Sequence, residues 1–221
     1  MQTITLELVR SNEEINTYIR QADASLQAMG FTEHSFAHVG RCAIVASGIL
    51  KELGYPERIC ELAGIAGYMH DIGNVANRID HAQSGAMMAF HLLDKMGMEP
   101  QELAMVVTAI GNHDEKTAYP VNEVAAALIL ADKGDVRRSR VRDASDIADD
   151  IHDRVNYAAV SSKLNIDRDT CKIVLDLTLD TEICSVMEYF EIFTERMLLC
   201  KRAVKFFGMK FGIVINGQTI M

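Results

Sequence analysis

The run Tyr68-Met69-His70-Asp71-Ile72-Gly73 decides how this chain is read. It closes a helical stretch that Pro56 opens and that carries Ile59, Leu62, Ile65 and Ala66 as apolar residues. Adjacent side chains do not share a helix face. His70 and Asp71 can therefore hold one ion together only at the helix end, where the chain turns toward Gly73. Imidazole and carboxylate are N and O ligands that suit Mn, Fe, Co, Ni or Zn, and carboxylate also suits Mg.

Working outward, the residues of the same chemistry stand in the order His38, His70-Asp71, His81, His113, Asp132. Ser35 to Leu53 reads as a helix through Val39, Cys42, Ile49 and Leu53, stopped by Gly54, with His38 inside it. A further helix covers Ser84 to Met96 and stops at Gly97, so that His81 precedes it. Pro100 starts the next, which brings His113 to its C-terminal end. Asn122 to Lys133 is apolar almost all round and is expected to be central. Ser11 with Glu13 and Glu14 marks an earlier helix start. Gly134 to Asp150 holds Arg137, Arg138, Arg140, Arg142 and five aspartates and reads as a loop or frayed helix near the surface. A sixth helix is expected over Ile151 to Leu164.

Beyond that point the pattern changes. Cys171 to Asp180 alternates and reads as a strand, and so does Lys210 to Asn216. Between them Ser185 to Phe207 is a long helix. Its apolar residues Val186, Phe190, Phe193, Met197, Cys200, Val204 and Phe207 form a narrow seam of coiled-coil spacing, which suggests a homodimer. The fold expected is mainly α: a helical domain over 1–162 and a small β-α-β appendage over 163–221, too small to bury its own faces.

Composition sets further bounds. With 49% hydrophobic residues, the 221-residue chain can build a real core. Its net charge of -9 argues against nucleic-acid binding and demands a local cationic site for any phosphorylated substrate. No apolar run reaches membrane-spanning length, and residues 1–10 lack the pattern of a signal peptide. Five scattered cysteines without a CxxC pair read as reduced thiols, consistent with a cytoplasmic protein.

A lone histidine on a helix face is ordinarily packed or solvated, with no ligand role. Asp132 is different, because it follows eight apolar residues, Val124 to Ala131, and a buried carboxylate needs a partner or a metal. Taken jointly, the set points to a divalent-metal site.

The ordered set and its flanks resemble the HD-domain metal-dependent phosphohydrolases, whose pattern is H…HD…H…H…D. The matching segments are His38-Val39-Gly40-Arg41-Cys42-Ala43, Met69-His70-Asp71-Ile72-Gly73, His81-Ala82-Gln83-Ser84-Gly85-Ala86, Ala109-Ile110-Gly111-Asn112-His113 and Leu130-Ala131-Asp132-Lys133 with Arg138. The flanks are most similar to the branch that hydrolyses dinucleoside tetraphosphates. The resemblance spans about residues 30–145 and implies a helical bundle that cleaves a phosphate ester or anhydride, in a nucleotide, by metal-activated water. It departs at Asn74, where the family often has Lys; Arg78 or Lys116 are candidates to replace that charge.

On this resemblance His38, His70, Asp71 and Asp132 bind a first ion, and His81 and His113 complete a second, with Asp71 bridging. If one ion binds, His81 and His113 contact phosphate instead. Asp71, His81 and His113 are then the catalytic residues, and Lys133 and Arg138 are candidates to hold substrate phosphate. Fe or Mn is favoured over Mg, with Ni, Co and Zn admissible. The competing reading is a non-catalytic HD module that binds a nucleotide and signals by dimerising.

Overall fold

The computed structural model describes residues 3–143, 147 and 150–221. A short helix α1 (Leu6–Ser11) leads into α2 (Glu13–Ala28), followed by α3 (Phe36–Glu52), α4 (Glu57–Met69), α5 (His81–Lys95), α6 (Pro100–Gly111) and α7 (Glu123–Lys133). Then come α8 (Ile151–Ala158), strands β1 (Ala159–Asp167) and β2 (Lys172–Leu179), α9 (Val186–Phe206), β3 (Lys210–Ile215) and β4 (Gln218–Thr219). The chain is thus mainly α, with a small sheet at its C-terminal end. No helix among the described residues is long and apolar enough to cross a membrane.

The helices begin and end largely where local chemistry demands. The Ser35 side chain accepts from the Ala37 amide, Glu99 from those of Gln101 and Glu102, and Asn122 from that of Ala125. Two starts differ from the sequence reading. Asn12, not Ser11, caps α2, because Ser11 is already the last residue of α1. Helix α5 begins at His81 rather than Ser84, since the Ser84 hydroxyl donates back to the Asp80 carbonyl one turn earlier and so lies inside the helix.

Helix α7 is the central element: every residue from Val124 to Lys133 is buried, with α3, α4, α6 and α9 packed around it. Helices α3 and α4 pack backbone against backbone. A Cβ on Gly67 would lie 2.8 Å from Ala43 Cα, Ala43 N and Cys42 C. Only a glycine permits that approach, and it draws the backbone of α4 against α3 a few residues before His70.

The C-terminal unit is richer in strand than expected. The expected sixth helix stops at Ala158, and the chain continues as β1, whose Leu164 pairs with Leu175 of β2. Pairing with β2 overrides the helical reading of 159–164. The sheet order is β1-β2-β3-β4, with β1/β2 antiparallel, β2/β3 parallel through the crossover α9, and β4 a short return. The expected β-α-β is therefore the centre of a ββαββ unit. The seam of α9 is spent inside the chain: Phe193, Met197, Cys200 and Val204 are buried, and α9 packs on α7 and β3. The expected surface loop at 134–150 is also corrected in part, since Asp135 is 0% and Arg140 4% exposed. Residues 144–146 and 148–149 of that stretch lie outside the described residues.

Gly67→Ala is expected to destabilise the protein by about 1–3 kcal/mol, because its methyl meets backbone that cannot rotate aside. Gly48→Ala in the neighbouring α3, where an added Cβ meets nothing within 4 Å, should be neutral or stabilising. Thermal unfolding of the two variants side by side checks the contrast.

Candidate metal centre

Asp71 follows the last turn of α4 and precedes a 3-10 turn over Ile72–Val75. This abrupt change of helix type is what lets His70 and Asp71 face one point. Asp71 Oδ2 lies 3.3 Å from His70 Nε2 and 3.6 Å from His38 Nε2. Its other oxygen, Oδ1, lies 3.5 Å from His81 Nε2 and 3.9 Å from His113 Nε2. Asp132 closes the first side, with Oδ1 at 3.4 Å from His38 Nε2 and 3.7 Å from His70 Nε2. On the second side His81 Nε2 and His113 Nε2 are 3.2 Å apart. All six residues are buried. Cys42 joins the first group, its Sγ 3.8 Å from the His38 ring nitrogens.

The outer nitrogens explain why the inner ones are available. Nδ1 of His70 donates to the Gly67 carbonyl, that of His81 to Arg78 and that of His113 to Ile110. His38 Nδ1 donates to Asp135 Oδ2 at 2.8 Å. With Nδ1 engaged outward, each ring turns Nε2 inward. His70 Nε2 is buried and makes no well-formed hydrogen bond. An orphaned buried nitrogen beside two carboxylates fits a cation.

The electrostatics agree. Burial opposes charge on His70, yet the Asp71 and Asp132 carboxylates lift its pKa to about 10. Burial pushes His113 well below its ordinary value, helped by His70 and Lys133, and burial also lowers His81. Burial would raise Asp71 and Asp132, but His70 holds the first, and Lys133 with His38 and His70 the second, well below the usual carboxylate range. The group thus presents ionised carboxylates and mostly neutral imidazoles, and draws positive charge to its centre.

The remaining expected residues divide. Lys133 is buried, its Nζ 2.7 Å from Asp132 Oδ2 and 3.2 Å from Glu115 Oε1. It orients Asp132. Arg138 is not brought to the group: it stacks on Tyr157 and pairs with Asp180. Asn74 is buried and donates from Nδ2 to both the carbonyl and Oδ1 of Asp71, each at 2.9 Å. Arg78, not the exposed Lys116, stands beside it, with Nη1 3.4 Å from Asn74 Oδ1.

Asp135 and Glu115 support this group in ways their sequence context does not declare. Asp135 receives Arg41 Nε at 2.9 Å and Arg137 Nε at 2.7 Å besides His38. It is the carboxylate behind the histidine that metal sites use to fix ring orientation. Its only sequence signal is a place three residues after Asp132, hidden in a charged run. Glu115 links Lys133 to Arg196 of α9, at 2.8 Å.

A family model described as HD domain matches residues 35–152. Among solved structures, the chain is similar to a predicted HD superfamily hydrolase from an uncultured Thermotogales bacterium. The two are 29% identical over 59% of this chain and 73% of that one, with a TM-score of 0.46. No curated protein matches.

Two measurements test the support around the centre. Asp135→Asn should lower metal affinity about 10- to 100-fold by freeing the His38 ring, read by competition with a chelating dye. The second concerns Glu115. Burial would raise its carboxyl, but Lys133 and Arg196 hold it at about 2, below the ordinary 4.5. A depressed folded value means the contribution is complete above pH 4.5 and disappears as pH falls toward 2. Glu115→Gln should therefore lose less stability than wild type across that window in urea unfolding.

Proposed function

The chain belongs to the HD-domain family, and on that footing we propose that it is a metal-dependent phosphohydrolase acting on a small phosphorylated substrate, in the first instance a nucleotide. One observation carries the reading: the two oxygens of Asp71 divide between two sets of inward Nε2 atoms, His38 with His70 and His81 with His113. In this reading His38, His70, Asp71 and Asp132 would hold one divalent ion, and His81 and His113, with Asp71, would hold another. The mixed imidazole and carboxylate set favours Fe or Mn.

When bound, such ions make water nucleophilic near neutral pH and neutralise charge on the phosphoryl oxygens. The chain's own residues do the rest. Asn74 fixes the rotamer of Asp71 through two hydrogen bonds, and Lys133 fixes that of Asp132. His81 and His113, whose protonation burial disfavours, would offer Nε2 to the second ion without repelling it. Hydrolysis breaks the bond from phosphorus to the leaving oxygen and forms one from water oxygen to phosphorus. The water proton ends on the leaving group.

Metal content by elemental analysis, on anaerobically purified wild type beside Asp71→Ala, tests this directly. About two ions per chain are expected in wild type, as in two-metal hydrolytic sites, with loss in the variant of both metal and turnover of p-nitrophenyl phosphate. About one ion per chain would reassign His81 and His113 to phosphate contact. No uptake of Mn or Fe on titration would sink the reading.

A further inference from the structure

A cavity of about 270 Å³ adjoins the metal centre and shares two residues with its surroundings. His34 lines the cavity, and its ring centroid is 5.4 Å from that of His38. Arg78 lines it too, and brings Nη1 to 3.4 Å from His81 Nε2. His34 and Arg78 thus set this cavity one side chain away from His38 and His81, two of the imidazoles that face Asp71.

Three arginines meet this cavity, and their charges are used differently. Arg196 is paired with Glu115. Arg140 is buried and donates to the carbonyls of Glu33 and Asp135. Arg78 pairs with no carboxylate among the described residues. Its guanidinium lies over the Phe31 ring, 5.7 Å from the centroid, and its other contacts are the side chains of Asn74 and His81 and the His81 ring's bond to its carbonyl. In a chain of net charge -9 this cation has no counter-ion among the described residues, and it lines a partly enclosed space. Its planar fork suits the oxygens of a phosphate.

We infer that this cavity is the substrate site, with Arg78 holding the phosphate of a phosphomonoester of mononucleotide size or smaller. The phosphorus chemistry rests on the hydrolase reading above; the anion site does not. Size supports the monoester. Pockets for drug-sized ligands occupy about 300–1,000 Å³, and this one falls below that range. Two nucleosides joined by a polyphosphate exceed it. Charge sets the direction of binding. The wall from the start of α8 carries Asp150, His152, Asp153 and Asn156; its two carboxylates repel phosphate, which leaves the Arg78 side for the anion. Phe193 of α9 adds an apolar surface, so the C-terminal unit contributes to the wall.

The test is calorimetric titration of inorganic phosphate into metal-loaded wild type, Arg78→Ala and Arg78→Lys, with metal content measured on each. Arg78→Ala is expected to bind phosphate about 10- to 100-fold more weakly at unchanged metal content, and Arg78→Lys to recover part of the loss. Mononucleotides should be turned over with higher kcat/KM than dinucleoside tetraphosphates. Equal phosphate affinity in wild type and Arg78→Ala, or no phosphate binding by either, overturns the site. Preference for the dinucleotides overturns the size assignment. Phosphate binding that depends on Arg78, without turnover of any ester, leaves the anion site standing and rejects the hydrolase.

Discussion

Three carboxylates, Asp71, Asp132 and Asp135, are buried within one side-chain cluster, and the surrounding structure is organised by the need to compensate them. An unpaired charge in such a place costs several kcal/mol. Asp135 is answered by arginine: Arg41, Arg137 and Arg140 approach it from three positions. Asp132 is answered by one lysine on one oxygen and by two histidines on the other. Asp71 meets no lysine or arginine among the described residues. Histidines and the neutral Asn74 are its close partners, so it lifts His70 toward protonation and leaves the centre receptive to a metal.

The backbone makes this concentration of polar groups affordable by placing them at helix ends and at one unusually close helix crossing. Neighbouring residues inside a helix diverge, so the His70-Asp71 pair converges only because α4 gives way to a 3-10 turn. His38 lies inside α3 and reaches the same point because Gly67 lets α4 lie against the backbone around Ala43. His81 opens α5, and His113 follows α6 by two residues. The four histidines thus come from separate elements, each anchored through Nδ1 to a carbonyl or to Asp135.

The C-terminal unit is tied to this centre. Arg196 of α9 reaches Asp132 through Glu115 and Lys133, and the Ser162 hydroxyl of β1 donates to the carbonyl of Gly134 at the end of α7. Arg41 spans the gap between the His38 helix and the Ser162 carbonyl. The seam on α9, which its spacing suggested for a partner chain, packs within its own molecule. A heptad pattern specifies a surface that must be covered; it does not say by what.

Much of the fold and of the candidate site was legible in the residues. The bounds of α3, α4, α6 and α7 follow from Ser35, Gly54, Pro56, Pro100 and Asn122, because caps and breakers act over a few residues. The six residues His38, His70, Asp71, His81, His113 and Asp132 were recognisable by type and order, and all six meet. What stayed hidden depends on contacts between segments distant in sequence. Asp135 and Arg140 read as surface charge until the Arg41, Glu33 and His38 side of the bundle is packed against them. Residues 159–164 read as helix until β2 offers a ladder. Arg138 and Arg78 are alike in sequence. Only the tertiary structure turns the first toward Tyr157 and Asp180 and the second toward His81. Which chemistry the chain carries and where most of its helices start and stop is written in neighbouring residues, since propensity and ligand type are local. Which charges are buried together, and which arginine faces the metal centre, was decided by the packing, since electrostatic pairing follows distance in space.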